Sequence, residues 1–130
     1  NKRVQQALKD VGASEWRERA AHQLSGGQKR CASIATVLSM GPDILVMDEP
    51  TANLDAKARR QLIRLIQGFS HTCLIATHDI RMVIEVCNRV LVLHEGQLIA
   101  DGNPQTVLQM PEVIEKTGIE TEQFTHTLVL

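Results

Sequence analysis

Between positions 42 and 93 the chain alternates three short apolar runs with two amphipathic stretches, and this alternation constrains its fold more than any other feature. Residues 44–47 are continuously apolar, open after Pro42 and Asp43, and switch abruptly to Asp48, Glu49 and Pro50. Bounded in this way, the run reads as a buried parallel strand with acids at its C-terminal end. Asp55 stands where it can cap a helix whose inner face includes Leu62, Ile63 and Ile66 and which closes near Gly68. Residues 72–77 predict a second strand. Ile80, Val83, Ile84 and Cys87 repeat the i, i+3, i+4, i+7 spacing of a helix, and residues 89–93 predict a third strand. The order β-α-β-α-β calls for an α/β fold with a parallel sheet and covering helices. Glu95 and Gly96 then turn the chain into a fourth, antiparallel strand over 97–100. Asn103 and Pro104 open a short helix to about Met110, and Pro111 starts a last one toward Gly118.

Upstream of the alternation, Val4, Leu8 and Val11 form a one-sided stripe that predicts a short helix ending near Gly12. Ser25 stands at an N-cap position with Gln28 three residues on, the spacing of a capping box. Cys31, Ile34, Ala35 and Leu38 continue one helical face until Gly41 and Pro42 stop it, so Cys31 is expected to be a small core residue. No internal repeat or low-complexity linker divides the chain.

Charge and composition narrow the function. Fourteen basic against fifteen acidic side chains leave a formal net charge of -1, so no long-range field draws nucleic acid or anionic lipid. With one Trp, two Phe and no Tyr, the stacking platforms that single strands need are missing as well, and no nucleic-acid partner is expected. Three scattered cysteines, Cys31, Cys73 and Cys87, predict a reducing, cytoplasmic setting. The apolar runs fall far short of the roughly 20 residues of a membrane-spanning helix. Any membrane connection is therefore expected to run through a partner. Because the sequence opens on Asn1, it is expected to come from inside a longer protein.

Chemistry concentrates at three places. Ser25, Gly26, Gly27 and Gln28 feed a helix whose first N–H groups and positive dipole end suit a phosphate; the same turn also serves as an ordinary helix cap. Asp48 and Glu49 are adjacent carboxylates at a strand end, which repel and need a cation or a proton unless they are simply solvated. Magnesium is the expected cation, with Asp48 holding it and Glu49 acting as general base on a water. His78 follows the next strand directly, so a parallel pairing puts it on the same sheet edge as the two acids. His22, His71, His94 and His126 read as polar loop residues, and none has the spacing of a zinc site.

Taken in order, Leu24-Ser25-Gly26-Gly27-Gln28, the run ILVMDE ending at Glu49, Ala52-Asn53-Leu54-Asp55 and His78 resemble the ABC ATPase family: its signature, Walker B strand with catalytic glutamate, D-loop and switch histidine. The resemblance covers about residues 1–115. It implies the P-loop NTPase-like fold and an ATPase that couples hydrolysis to transport. Two nucleotide-binding domains would pack head to tail, with Ser25, Gly26, Gly27 and Gln28 capping the γ-phosphate held by the other domain. Asp55 would join the nucleotide-binding set, Asp48 would hold Mg2+, and Glu49 and His78 would be catalytic. The other implied partner is an integral membrane transport subunit, through which the chain would sit, cytoplasmic and peripheral, on the inner face of the cell membrane. The stretches RVQQALKDVGASEWRERAAHQLSGGQKR and LVLHEGQLIADGNPQTVL are most similar to energy-coupling-factor importer ATPases for cobalt, nickel or vitamins. Cys31 departs from relatives that carry a basic residue there.

By the same resemblance, residues 1–118 are the C-terminal part of such a domain: a helical signature region (1–41), a Walker B to switch-histidine core with the strands after it (42–102) and C-terminal helices (103–118), followed by a tail (119–130). A P-loop would read Gly-x-x-x-x-Gly-Lys-Ser/Thr, and these 130 residues contain no Gly-Lys dipeptide. On its own the chain is therefore expected to be inactive. The strand that leads into the P-loop would lie between the second and third strands here, leaving a slot that a second copy could fill by strand exchange, with 127–130 as donor. The alternative functions are a regulatory or assembly module acting at the ABC dimer interface and a non-transport ABC ATPase.

Overall fold

The computed structural model describes residues 2–119, and the chain divides into two compact units, Asn1–His78 and Asp79–Leu130. The first unit begins with α1 (Lys2–Asp10), passes through two short 3-10 turns (Ser14–Trp16 and Ala21–Gln23), and enters α2 (Gly26–Leu38). It continues through β1 (Ile44–Asp48), α3 (Ala56–Gln67) and β2 (Thr72–Ala76). Of the stripe expected on α1, Val11 is buried while Val4 is exposed; Ala7 and Ala13 share the contact instead. α2 starts on the expected capping box: Gln28 N donates to Ser25 Oγ at 3.3 Å and Ser25 N donates to Gln28 Oε1 at 2.9 Å. Ile34, Ala35 and Leu38 are buried on its inner face, whereas Cys31 is only half-buried. Asp55 caps α3 by accepting from Ala58 N at 2.8 Å, and Leu62, Ile63 and Ile66 form the buried side of that helix.

β1 and β2 pair in parallel from Ile44↔Thr72 to Asp48↔Ala76. The expectation of a fully buried strand needs correction. Leu45 and Met47 are buried, but Ile44 is 58% exposed and Val46 67%. Side chains alternate across a strand, and only one face of this pair is covered by the described residues. Leu74, opposite Val46, lies on the same bare face.

The second unit contains α4 (Ile80–Val86), β3 (Val90–His94), β4 (Gln97–Gly102), α5 (Pro104–Val107) and α6 (Pro111–Thr117). Asp79 caps α4, and Met82 on that helix is fully buried although the predicted stripe omits it. β3 and β4 form an antiparallel hairpin with a register shift at Val92/Leu93. Its turn holds Glu95 at φ 48° and Gly96 at φ 76°, the two positive values a tight two-residue hairpin needs. Val92, Val107 and Val113 make the core, with Val90, Ile99, Ala100 and Ile119 against it. The described residues thus form two two-stranded sheets, β1-β2 and β3-β4, with no ladder between β2 and β3, the two strands between which the sequence left a slot. α5 is shorter than predicted, and residues 120–130, including the proposed strand donor, lie outside the described residues.

Candidate nucleotide site

The parallel register determines where the acids and the histidine meet. Asp48↔Ala76 is the last ladder pair, and Glu49 N donates to Ala76 O at 2.8 Å, carrying the pairing one step further. At Glu49 the backbone leaves the strand with φ 42°. The Glu49 carboxylate then turns onto the end of β2. Its Oε1 accepts from His78 N at 2.9 Å and lies 2.6 Å from His78 Nδ1; its Oε2 accepts from Thr77 Oγ1 at 2.9 Å. A carboxylate has no proton to give at neutral pH, so Nδ1 carries the hydrogen and Nε2 is the nitrogen left for a substrate. The His78 side chain is 88% exposed and that of Glu49 34%.

Burial pushes the Glu49 carboxyl up, but the hydrogen bonds from His78 and Thr77 together outweigh it and hold the group below the ordinary carboxylate range. Glu49 is accordingly ionised at neutral pH and able to accept a proton. Asp48, one residue earlier, is exposed at the strand end. Thr77 is the residue sequence reasoning missed. A lone threonine at a strand end carries no signature, and only the register shows what its hydroxyl meets.

Ser25, Gly26, Gly27, Gln28 and Asp55 form a second group. Gly27 packs so closely on the first turn of α3 that an added Cβ would stand 2.8 Å from Ala58 Cβ. Two capped helix N-termini therefore abut. Gly26 N and Gly27 N, in the first turn of α2, have no acceptor within their own helix, which makes them the natural donors to an anion. Beside Gly26 lies a small cleft of about 250 Å³ lined by Lys29, Arg30, Ser33 and the 52–54 loop, where Asn53 takes φ 60°. Asp55, expected among the nucleotide-binding residues, caps α3 through its Oδ1. Cys31 borders a different cleft, and burial raises its thiol pKa, which suits an inert side chain.

No cluster of three or more metal-ligating side chains occurs among the described residues. Nor, among the described residues, is any helix long and apolar enough to cross a membrane.

The chain is similar to known proteins of one family. The family model described as ABC transporter matches residues 1–52. A putative ABC transporter ATP-binding protein of Geobacter sulfurreducens is 46% identical over 119 residues, 92% of this chain and 48% of its own length. The energy-coupling factor transporter ATP-binding protein EcfA1 of Methanospirillum hungatei is 38% identical over 122 residues, 91% of this chain and 44% of its own. Among solved structures, cbiO1 of Clostridium perfringens, part of the ABC transporter complex cbiONQ, superposes with a TM-score of 0.77 at 40% identity, covering 96% of this chain and 51% of that one. The chain belongs to the ABC transporter ATP-binding proteins and has the fold of an incomplete ABC ATPase domain. Its likeness includes the energy-coupling-factor and cobalt type, and it spans about half the length of the relatives it matches.

Proposed function

We propose that this chain is part of the ATP-hydrolysing subunit of an ABC transporter, with Glu49 as general base, His78 as its catalytic partner and Asp48 as the ligand of Mg2+. The observation that carries the reading is the Glu49 carboxylate held at the end of β2 beside His78. Glu49 would take a proton from the water that attacks the γ-phosphorus as the bond to the β–γ bridging oxygen breaks. His78 Nε2 remains available to the phosphate. Magnesium, when bound through Asp48, would offset phosphate charge.

In this reading Ser25, Gly26, Gly27 and Gln28 receive the γ-phosphate of a second nucleotide-binding domain through the first amides of α2, with Lys29 and Arg30 nearby. Asp55 serves the same surface indirectly, by fixing the start of α3. The membrane-spanning partner is a separate transport subunit on whose inner face the domain docks. The likeness to EcfA1 and cbiO1 supports an energy-coupling-factor type of transporter; import of metal ions or vitamins as cargo rests on the sequence resemblance alone.

Hydrolysis requires a P-loop, and these 130 residues hold none, so turnover belongs to a complete domain with a P-loop half joined before residue 1. In that form Glu49→Gln should leave ATP binding intact and lower hydrolysis about 100-fold or more, the size expected for losing a general base. Parental turnover in Glu49→Gln, with binding intact, would remove Glu49 from the role assigned to it.

A further inference from the structure

We infer that Thr77 is a positioning residue for Glu49, fixing the one carboxylate oxygen that the His78 backbone amide does not reach. This rests on the reading of Glu49 as general base. The register gives the inference its geometry. Leu45↔Cys73 and Met47↔Ile75 are paired on the covered face of the β1-β2 sheet, and the next pair in that series is Glu49 with Thr77. The 2.8 Å bond from Glu49 N to Ala76 O is the one that a parallel ladder makes when those two residues stand opposite each other.

The two oxygens of Glu49 are held differently. Oε1 takes a backbone N–H and the His78 ring, and the backbone donor is present whatever the side chain at 78. At Oε2 the donor is the Thr77 hydroxyl at 2.9 Å, from a half-buried, β-branched side chain with few rotamers. Removing that hydroxyl lets the carboxylate swing about Oε1, and a general base works only when its lone pair is aimed at the water it deprotonates. Thr77 touches neither nucleotide nor water in this account; it acts through Glu49.

The test compares Thr77→Val, which keeps the shape and loses the hydroxyl, with Thr77→Ser, which keeps the hydroxyl. In the complete domain Thr77→Val should lower kcat about 10-fold while KM for ATP stays within about twofold, and Thr77→Ser should recover most of kcat. In the 130-residue chain at neutral pH, the carbon-13 signal of the Glu49 carboxylate should move in Thr77→Val and return toward its parental position in Thr77→Ser. Parental kcat together with an unmoved carboxylate signal in Thr77→Val overturns the inference. The unaltered chain supplies a check that needs no variant: the Thr77 hydroxyl proton should be protected, and exchange as fast as that of an exposed threonine also overturns it. If Glu49→Gln retains turnover, the general-base reading fails first; if only Thr77→Val is silent, this inference fails alone.

Discussion

Glu49 occupies a backbone conformation, φ 42°, that L-residues other than Asn and Asp enter at a cost of roughly 1–2 kcal/mol. The usual order of Gly and Ala should therefore reverse there. Both Glu49→Gly and Glu49→Ala lose the carboxylate, yet Glu49→Gly should be the more stable by about 1 kcal/mol in urea unfolding. Equal midpoints would mean that the left-handed turn relaxes without the side chain. A second residue-scale expectation concerns Arg89 and Asp101, joined by two hydrogen bonds of 2.7 and 2.6 Å. The hydrogen bonds from Arg89, aided by its charge, hold the Asp101 carboxyl below its ordinary value. A depressed carboxylate stabilises the fold above its unfolded pKa, about 3.9, and loses that contribution as pH falls through the folded value. Asp101→Asn should thus be less stable than the parent at pH 6, by a margin that shrinks as pH falls below the unfolded value. At this scale Asp48, Glu49 and His78 were legible because charged groups at strand ends are conspicuous. Thr77 was not, because its role depends on which residue the neighbouring strand places opposite.

Helix starts were the most readable elements, since Ser25 with Gln28 and Asp55 announce themselves by local hydrogen bonding that needs no tertiary context. Asp55→Ala should cost about 1 kcal/mol through loss of the Ala58 N–H acceptor, read as a shift in thermal or urea midpoint. Gly27 presents a different case. Its sequence neighbours suggested a phosphate turn, but the structure adds a packing demand, because a methyl at 27 would meet Ala58 Cβ at 2.8 Å. Gly27→Ala should destabilise the first unit by about 1–3 kcal/mol as α2 is forced off α3, and Gly27→Ala with Ala58→Gly should recover part of the loss. Strand positions were legible to within a residue or two. Their pairing was legible only in part: the parallel β1-β2 ladder and the β3-β4 hairpin follow from connection lengths and turn residues, whereas no ladder joins the two sheets among the described residues.

For the molecule as a whole, bare apolar surface is the dominant fact: Ile44, Val46 and Leu74 in the first unit, Leu91, Leu93 and Leu98 in the second are each at least half exposed. Exposed apolar strand faces of this kind promote association. Light scattering of the 130-residue chain should give a mass that rises with concentration above 14.4 kDa, and Val46→Lys should lower it; a concentration-independent monomer refutes the expectation. The same chain should bind ATP no more tightly than about millimolar, because the first amides of α2 and the Asp48 carboxylate are only part of a triphosphate cradle. Titration calorimetry would show otherwise as a stoichiometric micromolar isotherm. The ladder that ends at Asp48↔Ala76 also limits how such a gene can drift. Substitutions along β2 leave the count from Ala76 to His78 untouched, whereas one inserted or deleted codon reverses which side of the sheet every later residue faces. Lineages that keep a working site should therefore show free exchange of letters in this strand but no change in its spelling length.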